Sequence, residues 1–283
     1  MNYIIKKNYF MDSPLINIIT RVSRKNYFKR CYDSIRNQTY KNINHICTYQ
    51  NDDLKKFLQD FSNIELVRVP DTKRIPNLFY SYNHHPVMDN FIEPDYDFMN
   101  IKGHTGEDEY ENTSIRVVEQ KFESGPFYCF SVPGTSRVTF KHSPYNSYLK
   151  IAEKSVKYGW IFYLDDDDFF IDNCFLEKIV EQINKFDEDT LHIFKIELES
   201  GISPDEKFWL HMKWGHPFII HAIGGSNFIF HSKYLEYTAW DEWSGGDYRT
   251  AKNLERVVKN KNFIDEVSIY AANNGGNIVD LES

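Results

Sequence analysis

Four carboxylates stand in a row, Asp165-Asp166-Asp167-Asp168, between the apolar segments Trp160-Ile161-Phe162-Tyr163-Leu164 and Phe169-Phe170. Neighbouring carboxylates raise one another's pKa. Apolar flanks that must be buried hold the turn against the protein body, so it cannot trail into solvent as an acidic tail would. A divalent cation is the compensating charge that suits them. Mg²⁺ or Mn²⁺ takes hard oxygen ligands, often one or two carboxylates plus substrate phosphates. The competing reading is a solvated acidic turn that caps the next helix.

Such a turn has to be carried by a sheet. Apolar runs at 15–19, 42–49 and 64–69 predict strands, separated by helical patterns over 23–38 and from Asp52 or Asp53 to 61. Strands and helices alternating at this spacing predict an α/β fold with a mostly parallel central sheet flanked by helices. Residues 71–142 break the rhythm and read as an insertion, with a hairpin of 127–132 and 137–140. The pattern then returns: helix 143–158, strand 160–164, helix 173–186, strand 190–197, helix 246–260 and strand 263–270. Stretches 218–221 and 228–230 are strand-like, and the 273–276 tail is expected to be mobile. The acids then leave the carboxyl end of a strand, where open α/β sheets bind ligands. The whole of 1–283 is expected to be one domain, with 14–69 and 143–186 as its nucleotide-binding core and 200–260 as its acceptor side.

The chain has 283 residues, 41% hydrophobic and 26% charged, with a net charge of −8. An acidic surface argues against a nucleic-acid partner. An anionic small substrate would then need local cations or a metal. No apolar stretch reaches the roughly 18 residues of a spanning helix, and Met1 to Lys7 lacks a secretory apolar region. Cys31, Cys47, Cys129 and Cys174 form no C-x-x-C pair, so a zinc site is not expected. Reduced thiols and a cytoplasmic location are.

Residues 14–43 resemble the opening of a family 2 glycosyltransferase of GT-A fold. Ser34-Ile35-Arg36-Asn37-Gln38-Thr39-Tyr40-Lys41-Asn42-Ile43 matches the family phrase S-I-x-N-Q-T-Y-x-N-I, and Leu164-Asp165-Asp166-Asp167-Asp168 resembles its L-D-x-D-D motif. The resemblance covers roughly 14–69 and 143–186. It implies transfer of a sugar from a nucleotide-sugar donor, a UDP-sugar with UDP-glucose foremost, to the hydroxyl of a glycan or other acceptor, with inversion. It further implies Asp165 on the nucleotide side with Asp166 beside it, and Mn²⁺ or Mg²⁺ held by Asp165 and Asp167. Register within four identical residues leaves Asp168 as a substitute for Asp167.

The family usually ends its second strand with an acidic pair. Here Tyr49, Gln50, Asn51 and Asp52 stand at that place, Tyr49 or Gln50 to meet a base and Asp52 to supply the carboxylate, with core packing the alternative for Tyr49. Thr20 and Arg21 leave the first strand beside them, and Arg21 can meet a phosphate. Asn146 falls where the family has an Arg-Asn pair. Tyr145 stands in place of the arginine; Lys73, Arg74 or Arg137 from the insertion could replace it, with a solvated cation the heavier reading for each.

Transfer also needs a base. The family places an acid near the start of a late helix. Asp247, after Gly245 and Gly246, is favoured there over Asp241 and Glu242, and also suits an N-cap position. Residues 224–227 resemble a loop beside the donor sugar, or a plain turn. Trp240 and Trp243 can stack on sugars or pack in the core. His216, His221 and His231 are expected to be structural before they are metal ligands. The other readings are a two-metal nucleotidyltransferase, for which no phosphate-cradling G-x-x-x-x-G-K-[ST] appears, and a non-catalytic carbohydrate-binding relative.

Overall fold

Isoleucine-rich runs make the opening strands, and Asn17, Thr20, His45 and Thr48 within the first two are buried with them, as sheets covered on both faces require. The computed structural model describes residues 13–70, 78–81, 91–92, 116–122, 125–131, 137–140, 145–218, 222–240 and 245–272. In it β1 (Ile16–Arg21), β2 (Ile43–Tyr49) and β3 (Ile64–Arg68) alternate with α1 (Lys25–Arg36) and α2 (Asp52–Leu58). Helix α1 buries Phe28, Cys31, Ser34 and Ile35, one stripe of a 3.6-residue period. Asn51 caps α2, its side chain accepting from the Leu54 N–H at 2.9 Å. The expected caps, Asp52 and Asp53, lie inside the first turn, where their charge complements the helix dipole.

Strands β4 (Leu78–Ser81), β5 (Phe91–Ile92), β6 (Arg116–Phe122), β7 (Gly125–Ser131) and β8 (Arg137–Phe140) form a second, antiparallel sheet in the order β4-β8-β7-β6-β5. Strands β7 and β8 pair as the expected hairpin does. Next come α3 (Asn146–Ala152), β9 (Trp160–Tyr163), β10 (Phe169–Phe170), α4 (Phe175–Ile183), β11 (Thr190–Leu198), β12 (Gly201–Ser203), α5 (Glu206–Lys213), β13 (Phe228–His231), α6 (Gly246–Val257) and β14 (Asn260–Ala271). Helix α3 is shorter than its pattern predicts and closes in a 3₁₀ turn, Glu153–Ser155.

The main sheet runs β10-β14-β11-β13-β9-β1-β2-β3, with β12 paired to β11. Strands β3, β2, β1 and β9 are parallel neighbours, and β11 is parallel to β14. Strand β13 runs against both β9 and β11, so it reverses the chain between two sets of like direction. Alternate residues divide the core between the two faces. Ile19, Ile161, Tyr163, Phe228 and Phe230 pack with Trp209, Trp240 and Leu254 on one face. Ile18, Trp160, Phe162 and Ile229 pack with Cys31, Phe175 and Ile179 on the other. Among the described residues no helix is long and apolar enough to cross a membrane.

Candidate active site

The register of β1 against β9 builds the site. Ile19 pairs with Tyr163, so two residues further on Arg21, the last of β1, stands beside Asp165, the first of the acids. The Arg21 guanidinium donates to Asp165 Oδ2 at 2.8 Å and to Asn146 Oδ1, at the start of α3, at 2.9 Å. Arg21, Asn146 and Asp165 share with Tyr163, Gly225, Ser226, Trp240 and Asp247 the lining of a cavity of about 230 Å³. Residues 225 and 226 belong to a 3₁₀ turn entering β13, the loop expected beside a donor. Asp247 lies in the first turn of α6. That helix opens at Gly245, whose φ of +77° suits a residue without a side chain. At Gly246 a Cβ would sit 2.9 Å from Trp240 Cε3, so the helix can start this close to the Trp240 ring only with glycine there.

The four acids do four different things. Asp165 is the exposed one, its side chain 37% accessible. Asp166 is buried and turned the other way. Its Oδ2 accepts the backbone N–H groups of Ser23 and Arg24, both at 2.6 Å, and its Oδ1 accepts Arg24 Nε at 2.9 Å. The expectation of Asp166 at the nucleotide is therefore corrected: both its oxygens hold the loop into α1. Asp167 pairs with Arg24 at 2.5 Å and is 7% accessible. Burial, with Asp165 close by, pushes its carboxyl up to about 6 although Arg24 pulls the other way. Asp168 is buried and accepts the Ser226 hydroxyl at 2.7 Å; burial and Asp165 raise its pKa well above the usual range. It thereby ties the acidic turn to the 3₁₀ turn.

Strand alternation overturns the expectation for Thr20. It points opposite to Arg21, is fully buried, and bonds His45 Nε2 at 3.0 Å in the interior. Tyr49 packs with Val22, Phe28, Leu54 and Leu58, the core alternative, away from the cavity. Asn51 caps α2 and Asp52 opens it, and neither is among the residues lining this cavity. Gln50 accepts the Tyr148 hydroxyl at 2.9 Å. The guanidinium beside Asn146 is that of Arg21, from a different element, a pairing that a reading confined to neighbouring residues cannot find. His216 stacks on His211, and His231 is buried against Tyr158 and Trp160, so both act in packing. Lys73, Arg74, His221, Asp241, Glu242, Trp243 and the 273–276 tail lie outside the described residues, as does the side chain of Arg137. Tyr163 and Leu149 line the cavity without having been singled out; their apolar surroundings in the sequence mark only burial.

Among the described residues no group of three or more His, Cys, Asp and Glu is arranged to hold a metal by itself. Of the four acids only Asp165 lines the cavity; Asp167 is paired with Arg24, the partner of Asp166, so the cavity itself offers a cation one carboxylate. Arg21 reaches only Oδ2 of Asp165, and Arg24 only Oδ1 of Asp167, so each carboxylate keeps an oxygen that no described residue bonds. One or two such carboxylates are what Mg²⁺ takes beside phosphate and water.

No protein-family model and no curated protein matches the sequence. Solved structures do. S. aureus TarS superposes with a TM-score of 0.52 over 91% of this chain and 36% of TarS, at 8% identity. TarS 1-349 in complex with UDP gives 0.55 at 10% identity, over 91% of this chain and 60% of that one. TarS 1-349 in complex with UDP-GlcNAc gives 0.54 at 11%, over 93% and 59%. The chain has a GT-A fold. It thus spans between about a third and three fifths of the TarS chains it resembles, and at such identity the likeness is one of fold.

Proposed function

We propose that the protein is a glycosyltransferase, moving a sugar from a UDP-sugar to the hydroxyl of a glycan or other acceptor. One observation carries the reading. Arg21, Asn146, Asp165 and Asp247 share a cavity at the carboxyl ends of β1 and β9, in a fold held in common with TarS, whose structures contain UDP and UDP-GlcNAc.

In the proposed reaction the acceptor oxygen bonds to the anomeric carbon as the bond from that carbon to the diphosphate oxygen breaks. UDP leaves with the bonding pair, and the acceptor proton passes to Asp247. A single displacement inverts the anomeric centre, through an oxocarbenium-like transition state. Arg21 supplies a fixed cation for the diphosphate by charge-assisted hydrogen bonds, and Asn146 orients it. Asp165 is the cavity carboxylate that would hold Mg²⁺ or Mn²⁺, which when bound neutralises charge developing on the leaving diphosphate. UDP-glucose is the first donor to try, with UDP-GlcNAc beside it. Cys31, Cys47 and Cys174 are free thiols, which suits a reducing, cytoplasmic setting.

Incubation with a panel of UDP-sugars and Mn²⁺ or Mg²⁺ tests this. UDP release that stops on adding EDTA is expected. Pyrophosphate release identifies a nucleotidyltransferase, binding without release a non-catalytic relative, and release indifferent to EDTA removes the metal.

A further inference from the structure

Behind the cavity wall lies a buried carboxylate that this chemistry does not use. Glu153, in the 3₁₀ turn after α3, is 6% exposed. Its Oε1 accepts the Tyr163 hydroxyl at 2.7 Å. Its Oε2 lies 2.9 Å from Thr238 Oγ1 and 2.9 Å from Lys150 Nζ. Lys150 in turn donates to Thr238 Oγ1 at 2.6 Å and to the Leu235 carbonyl at 3.1 Å. Helix α3, strand β9 and the segment leading to Trp240 therefore meet on one carboxylate.

Two of these elements carry the cavity wall. Tyr163 and Trp240 both line the cavity and pack edge to face, with ring centres 4.9 Å apart. The Trp240 ring is wedged between glycines: a Cβ on Gly225 would lie 3.5 Å from Cη2, and one on Gly246 would lie 2.9 Å from Cε3. Gly246 adjoins Asp247. An ion pair with one buried partner, Glu153, and one half-exposed partner, Lys150, is weak evidence of added stability. What it adds is a fixed geometry.

We infer that Glu153 is a positioning residue: through Tyr163 and Thr238 it holds the Trp240 ring, and with it the turn that carries Asp247. The kinetic part of its test rests on the glycosyltransferase reading; the spectroscopic part does not. The full chain is labelled with 5-fluorotryptophan, and the Trp240 resonance is assigned by its loss in Trp240→Phe. Glu153 makes its bonds to Tyr163, Thr238 and Lys150 and none to Trp240, so a shifted or broadened Trp240 resonance in Glu153→Gln reports transmission through the tether. Thr238→Val, which removes the tether hydroxyl bonded to Glu153 and keeps the side-chain volume, carries the same test should Glu153→Gln fail to fold. In both variants kcat for UDP release is expected to fall about tenfold, with donor KM within about threefold of wild type. A Trp240 resonance unmoved in these variants overturns the inference. So does a moved resonance with unchanged kcat. A wild-type protein without turnover counts against the proposed function, while the resonance still decides the tether.

Discussion

Asp247 and Arg21 line the same cavity, yet the proposed chemistry asks different things of them. A general base acts on the proton in flight, so Asp247→Asn should lower kcat by about a hundredfold or more while donor affinity is kept. In the proposed chemistry Arg21 meets the diphosphate in ground and transition states alike. Arg21→Ala should therefore raise donor KM about tenfold or more, the worth of one hydrogen bond to a charged group, with a smaller change in kcat. Initial rates over a donor concentration series separate the two. A kcat defect in Arg21→Ala with unchanged KM would reverse its role. Asp247 was legible because its two glycines and its helix start are adjacent in sequence. The partnership of Arg21, Asn146 and Asp165 was not, because it joins residues from three elements.

At the scale of elements, the loop between β1 and α1 is held by Asp166 and not by a cap. The cap position of α1 is Arg24, whose side chain makes no capping bond, and the buried carboxylate of Asp166 takes over that function from across the sheet. Removing it leaves the Ser23 and Arg24 N–H groups without their acceptor and the Arg24 guanidinium with Asp167 alone. Asp166→Ala should cost about 3 kcal/mol, the lower range for breaking a buried charge pair, read as a fall in Tm by calorimetry. Loss of donor binding without loss of stability would return Asp166 to the ligand. The acidic run was visible in sequence as a cluster; its division into one accessible acid, one loop clamp and two buried acids depends on where each Cβ points after the strand ends. The helices and strands of 14–69 were equally visible, since their apolar period is local. Helix α5 was not, because aromatic and charged residues between 206 and 213 blur its period.

At the scale of the molecule, buried histidines set a pH limit. Burial lowers His45 to about 3 and His192 to about 4. Both are neutral when folded and titrate near 6.5 when unfolded. The unfolded chain therefore binds more protons below 6.5, so their share of stability is whole above that pH and is lost as pH falls toward the folded values. Asp167 and Asp168, held above the usual carboxylate range, act with the opposite sign in the same window, so the difference between proteins is the test: from pH 6.5 to 4.5, His45→Gln and His192→Gln should each lose less Tm than wild type. Equal slopes in all three proteins would exclude these histidines as the cause.

From the sequence alone came the α/β alternation, the acid-bearing strand end and the late helix with Asp247 in its first turn, all of them patterns written within a few neighbouring residues. The tertiary structure decided which of those residues meet. Strand pleating sends Thr20 inward and Arg21 to the cavity. Parallel register sets Arg21 beside Asp165, and the reversed strand β13 brings Ser226 to Asp168. The physical reason is that side-chain direction alternates with every residue of a strand, whereas strand-to-strand pairing is a long-range choice made by the packed core.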